Sequence, residues 1–171
     1  VSLMVEIATV SGPDVQVDAL LERHAALMRS LSPAESCHVM TAEALAASGA
    51  TVHALRDAAG TVMAVGALKP LGDGGVELKS MHTAAETRGR GLGQTLLAHL
   101  LRAARQSGAT DAWLETGSAP EFAPARTLYE RAGFAYCPPF GDYAEDPLSV
   151  FMHRRLAEPA ESRQTAGHAA P

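Results

Sequence analysis

Cysteine is scarce in this chain. Cys37 and Cys137 stand far apart and without CxxC spacing, which argues against a disulfide framework and against a thiolate zinc site. The seven histidines are scattered, and none pairs with a cysteine at ligand spacing, so no metal is expected. No run approaches the roughly 20 apolar residues that span a bilayer. No basic stretch followed by an apolar block opens the chain, so no secretory signal is expected. These absences together point to the cytoplasm and away from a membrane. Positive charge is in deficit as well. Lys and Arg number 14 against 19 Asp and Glu, a net charge of −5, which argues against nonspecific nucleic-acid binding. There is no internal repeat, and no Gly-Lys-Ser/Thr sequence marks a P-loop.

What is present suits one domain: 171 residues, 47% of them hydrophobic. The domain is expected over residues 1–156. Residues 157–171 are rich in Ala, Pro, Glu and Ser, lack periodicity, and are expected to form a disordered tail. Met4–Val10 reads as a first strand. Gly12-Pro13 opens a helix whose positions Val17, Leu20, Leu21, His24, Leu27, Met28 and Leu31 step by three and four, and Ser32-Pro33 closes it. A short helix is expected at Thr41–Ala47. Asp57–Gly60 is a hairpin signal between strands Thr51–Arg56 and Thr61–Leu68. Gly72–Gly75 is a second turn, leading to the strand Val76–Thr83. Its alternation Val76, Leu78 slips phase at Met81, a hint of a β-bulge.

Leu92–Ser107 is the clearest helix, with Leu92, Leu96, Leu97, Leu100, Leu101 and Ala104 on one stripe and Gly108 beyond its end. Asp111–Thr116 reads as a strand and Pro124–Ala132 as a helix. Phe134–Tyr136 and Leu148–Arg154 read as late strands, which could pair across a homodimer. The order β-α-α-β-β-β-α-β-α-β-β, with hairpins first and a βαβ unit from Val76 to Thr116, implies an α/β fold. Its central sheet is mixed and mostly antiparallel, with helices on both faces.

The chemistry concentrates at Arg88-Gly89-Arg90-Gly91-Leu92-Gly93, between a strand and the strongest helix. Glycines at alternate positions let a ligand approach the backbone. The helix start behind them offers unpaired N–H groups and the positive end of a dipole, a cradle for phosphate or diphosphate. Gln94 adds a donor in the first turn. A dinucleotide-binding Gly-x-Gly-x-x-Gly is a poor fit, because the third glycine comes one position early and the motif follows hairpin strands.

Arg88–Gly93 fits the [RQ]-x-x-G-x-[GA] diphosphate signature of the GCN5-related N-acetyltransferases (the GNAT superfamily). Ala125-Arg126-Thr127-Leu128-Tyr129-Glu130-Arg131-Ala132-Gly133-Phe134 resembles the A-x-x-L-Y-x-x-x-G-F of the same superfamily. The two stand in the expected order, separated by helix and strand. Glu77–Met81, Leu114–Gly117, Phe122–Arg126, Phe140–Tyr143, Asp146-Pro147, Ser149–Met152 and Ser32–Ser36 resemble a bacterial subgroup, the YsnE-like acetyltransferases. One position departs. Many members carry Asn three residues before the alanine of the second signature, and here Phe122 stands there.

The resemblance implies the GNAT fold with a splayed βαβ cofactor site, and acetyl-CoA as donor to a primary amine of a small molecule. It places the diphosphate on Arg88, Gly89, Arg90, Gly91, Leu92, Gly93 and Gln94, and the pantetheine arm on the backbone of Met81, His82 and Thr83. Glu77 is implied as general base, with Glu115 and His82 in reserve, and Tyr129 as the acid that protonates the thiolate. Glu35, Ser36, His38, Asp142 and Tyr143, in non-periodic stretches, and Glu115 are candidates for holding the acceptor. The alternative is a noncatalytic acyl-CoA-binding or sensing module on the same fold, in which Glu77 and Tyr129 would be dispensable.

Overall fold

Two tight turns set up the sheet. In the first, Asp57 Oδ1 accepts from the N–H groups of Ala59 and Thr61, each at 2.9 Å, and Gly60 closes the turn with φ +83°. This is an Asx-type turn that fixes the register of the strands on either side. In the second, Gly72, Asp73 and Gly74 all adopt positive φ.

The computed structural model describes residues 4–33 and 41–156. The elements run β1 (Val5–Thr9), α1 (Val15–Leu31), α2 (Ala42–Ala47), β2 (Thr51–Asp57), β3 (Val62–Gly72), β4 (Gly75–Thr83), α3 (Leu92–Gln106), β5 (Asp111–Gly117), α4 (Ala123–Arg131), β6 (Ala135–Cys137) and β7 (Ser149–Arg155). Short 3₁₀ turns stand at Ala85–Thr87 and Pro120–Phe122. The order matches the sequence reading, apart from boundaries and these two turns. Glu35, Ser36, His38 and the tail 157–171 lie outside the described residues.

The seven strands form one sheet in the order β1-β2-β3-β4-β5-β7-β6. Every neighbouring pair is antiparallel except β4 with β5. That exception follows from the helix between them, since a crossover returns the chain in the same direction. One face carries α1 and α2, with Val17, Leu20, Leu21 and Leu45 packed on Val52, Ala54, Val65 and Ala67. The other carries α3 and α4. There Leu96, Leu97, Leu100, Leu101 and Tyr129 meet Leu55, Ala64, Leu78, Leu114 and Met152. Burying each of these leucines contributes about 1.5–3 kcal/mol, so α3 is the firmest element on which a site could be built.

The bulge expected in β4 is there. Pairing with β3 jumps from Ala67↔Lys79 to Val65↔His82, so Ser80 and Met81 together oppose Gly66, and Ser80 has φ +54°. Gly66 is required by close approach: a Cβ there would stand 2.6 Å from Met81 Sδ and 2.9 Å from Leu100 Cδ1. On α1 the structure differs from the expected stripe. Its buried positions are Val17, Leu20, Leu21 and Ala25, while Leu27 is exposed. The second half of α1 overhangs the packed sheet, and His24, Leu27, Met28 and Ser32 line a cavity instead.

Candidate active site

The parallel ladder between β4 and β5 is short. It runs from Gly75↔Asp111 to Leu78↔Leu114 and stops, although β4 continues to Thr83 and β5 to Gly117. Beyond Leu78 the strands separate, because the bulge at Ser80–Met81 turns β4 away. An open cavity of about 950 Å³ occupies this gap and continues between α3 and α4.

At one side lies the start of α3. Gly89 and Gly91 have φ +81° and +75°, and Gly91 is the N-cap. Both need glycine for this backbone, while a Cβ on either would meet no atom within 4 Å. Asp14 caps α1 and Thr41 caps α2 through their side chains, yet no side chain caps α3. Its first-turn N–H groups therefore have no side-chain acceptor, the condition under which a helix start can take an anion. The helix start is held close to its neighbours, since a Cβ on Gly93 would come within 3.5 Å of Thr83 Oγ1 and a Leu128 methyl. Arg88 Nε donates to the Thr83 carbonyl at 3.3 Å, tying the loop to the end of β4. Arg88, Gly89, Gly91, Leu92, Gly93 and Gln94 line the cavity. Arg90 is exposed and does not.

On β4, Met81 turns its side chain toward α3, while His82 turns toward α1. His82 Nδ1 lies 3.2 Å from His24 Nδ1. Burial pushes both imidazoles down to about 4. The charge of one on the other adds to this for His24, and Arg88 and Arg23 add to it for His82, against Glu86. Both rings are therefore neutral near pH 7, sharing one N–H between two nitrogens. Next to them Arg23 pairs with Glu86 at 3.1 Å, so α1 is clamped to the segment leading into the glycine loop.

Across the gap stands Glu77, 4% exposed. Its Oε1 accepts from Lys79 Nζ at 3.1 Å and from Tyr143 OH at 2.6 Å, and Lys79 also donates to Tyr143 OH at 3.2 Å. Burial, then the hydrogen bond and charge of Glu77, raise the Tyr143 phenol. An aromatic group of Trp113, Phe140, Tyr143 and Phe151 backs this triad. Glu115 follows the last ladder pair on β5, accepts from Ser149 Oγ at 2.8 Å, and lines the cavity. Asp142 is exposed and does not line it.

Tyr129 projects from α4 into the same space and is 7% exposed. Burial, with the Glu115 charge behind it, raises its phenol, so the proton stays on at any physiological pH. Two residues not foreseen as site residues shape this wall. The Phe122 ring lies against Gly117, where a Cβ would come within 2.1 Å of it. Arg126 donates to the carbonyls of Gly117 and Ala119 at 2.7 and 2.9 Å, fixing the end of β5 to α4. Arg126 lay inside the second signature. Gly117 closes the Leu114–Gly117 segment of the subgroup resemblance.

An uncapped helix start beside a split parallel strand pair suits a diphosphate with an extended arm. Comparison with known proteins settles the family. The Acetyltransferase (GNAT) family model matches residues 18–134. The chain belongs to the GNAT family. It is 40% identical over 141 residues to the uncharacterized N-acetyltransferase YsnE of Bacillus subtilis (strain 168), covering 82% of this chain and 93% of that one. It is 37% identical over 142 residues to the uncharacterized N-acetyltransferase YedL of Escherichia coli (strain K12), covering 83% and 89%. A solved structure from Klebsiella pneumoniae, described as an acyl-CoA N-acyltransferase, superposes with a TM-score of 0.74 at 29% identity, covering 90% of this chain and 99% of that one. This GNAT protein is thus an acyltransferase with N-acetyltransferase relatives. No helix among the described residues is long and apolar enough to cross a membrane, and no group of three or more His, Cys, Asp or Glu among them could hold a metal.

Proposed function

We propose that this protein is an acetyl-CoA-dependent N-acetyltransferase that acts on a primary amine of a small molecule by direct transfer. One observation carries the reading: the β4–β5 ladder ends at Leu78↔Leu114 with the uncapped start of α3 on one side of the gap and Tyr129 on the other. The residues fit an acyl-CoA, because the open αL backbone at Gly89 and Gly91 leaves room where any side chain would intrude. Acetyl-CoA, when bound, supplies the acetyl thioester.

The chain's own groups divide the work. The N–H groups of Leu92, Gly93 and Gln94, with Arg88, hold the diphosphate, while Arg90, outside the cavity, adds only its charge. The β4 edge turned toward β5, over Met81–Thr83, offers backbone groups to the pantetheine amides. Glu77 takes the proton from the amine, directly or through one water. With Oε1 engaged by Lys79 and Tyr143, Oε2 is the oxygen available. A positioned base contributes about 10²–10⁴-fold. Tyr129, held protonated by burial, donates to the departing sulfur. The acceptor enters between α1 and the Tyr143 segment, where Glu115 favours a cationic amine.

The test is thiol release from acetyl-CoA in the presence of a panel of small amines. Release with at least one amine, and none without, supports the reading. Tight acetyl-CoA binding with no release for any amine would replace it with a noncatalytic acyl-CoA-binding module.

A further inference from the structure

Four arginines line the cavity on the side of α3 and α4. Arg102 and Arg105 come from the last two turns of α3, Arg131 from the last turn of α4, and Arg154 from β7, and all four line the cavity. None of them belongs to an ion pair among the described residues, where the partners of carboxylates are Arg23, Arg29, Arg56, Lys79 and His153. The acidic groups that line the cavity do not belong to this cluster. Glu77 and Glu115 alternate with the core residues Leu78 and Leu114, so they leave the opposite face of the sheet, and Glu121 precedes α4.

The cluster is also incompletely satisfied. Arg154 Nη1 donates to the Ala132 carbonyl, the C-cap of α4, at 2.7 Å. Arg105 Nε is buried and has no acceptor, a donor left unpaired at a cost to the folded chain. Burial, and then the nearby charge of Arg105, push the Arg154 guanidinium down. Two guanidiniums whose charges act on each other, without an ion-paired carboxylate, favour an oxyanion that both can fork onto.

We propose that Arg102, Arg105, Arg131 and Arg154 form a second anion subsite, which takes a compact phosphate or carboxylate ligand distinct from the thioester cofactor. The rise of α3 places Arg102 and Arg105 about 15 and 20 Å along the helix from Leu92. A nucleotide whose diphosphate sits at Leu92 carries its ribose phosphate only one sugar away. The subsite therefore stands beyond the cofactor, with apolar Leu97, Ala98 and Leu101 between. An oxyanion there would join α3, α4 and β7.

The experiment is thermal unfolding of the full chain saturated with CoA, titrated with inorganic phosphate or citrate at constant ionic strength. A saturable rise in melting temperature is expected. Phosphate acting alone identifies a phosphate ligand and citrate acting alone a carboxylate. Arg105→Gln and the exposed Arg131→Gln should each raise the half-saturating concentration about tenfold, the loss of one charge-assisted hydrogen bond. Arg131 is exposed, so its variant keeps the test valid if Arg105→Gln does not fold. Three results overturn the proposal: no rise with either anion, a rise unchanged in Arg131→Gln, or a rise in CoA-free protein that CoA abolishes. The last would give the arginines to the cofactor's own phosphate.

Discussion

The two walls of the β4–β5 gap are built on opposite plans. The wall proposed for the cofactor is main chain: glycines with positive φ, an uncapped helix start, and one arginine bond from Arg88 to the Thr83 carbonyl. The wall proposed for the acceptor is side chain. Glu77, Lys79 and Tyr143 make three hydrogen bonds with one another, backed by aromatic rings in edge-on and tilted contact. A main-chain wall recognises what every donor of one class shares. A side-chain wall can be exchanged residue by residue to suit one acceptor. The contrast also separates energies, since the first wall leaves its polar groups facing outward and the second satisfies them internally.

Substitutions can break that contrast, beginning with the largest expected effect. Gly91→Glu puts a Cβ on a φ of +75° and a carboxylate where a diphosphate belongs. Strain and repulsion together should weaken acetyl-CoA binding by about 10³-fold by calorimetry. Unchanged affinity would show that the loop is not the cradle. On the other wall, Lys79→Met strands a carboxylate that is 5% exposed. The loss should be about 3 kcal/mol in urea unfolding, and the double variant Glu77→Gln/Lys79→Met should recover most of it. A loss within experimental error would mean that the triad is not a buried network.

Tyr129→Phe keeps the packing and removes the proposed proton donor. The single-turnover rate should fall about 10²-fold with unaltered cofactor affinity, and an unaltered rate would remove Tyr129 from the chemistry. The smallest effect lies where the walls meet, at His24 and His82. Both imidazoles are depressed to about 4 in the folded chain from the ordinary 6.5 of a histidine. The folded state therefore binds fewer protons, and stability is complete above pH 6.5 and is lost as pH falls toward 4. From pH 7 to 5 the His24 contribution is about 2 kcal/mol. His24→Leu should flatten the curve over this window relative to the parent. Parallel curves would mean that the imidazole is not buried neutral.

How much was legible in the sequence follows the same division. The Leu92–Ala104 stripe, the Arg88–Gly93 loop and the slip at Met81 are local patterns, and they stand where α3, its glycine N-cap and the bulge are. The stripe on α1 was readable only in its first half, because periodicity records that a face is apolar and not whether it meets a core or a cavity. The acceptor wall was not legible as a unit. Glu77 and Tyr143 were each singled out, but their bond joins β4 to a loop 66 residues later in the chain, and no local pattern encodes it. The partnership of His24 with His82 was hidden for the same reason. Gly66, inside the expected strand Thr61–Leu68, and Gly117, just past the expected strand Asp111–Thr116, show no sequence sign of the Met81 and Phe122 side chains that lie against them.

The most direct test of this account is a crystal structure with CoA bound. It should place the diphosphate within hydrogen-bonding distance of the Leu92, Gly93 and Gln94 N–H groups, with the sulfur between β4 and β5 beside Tyr129. A nucleotide bound away from the start of α3, or a sulfur outside the gap, would contradict it.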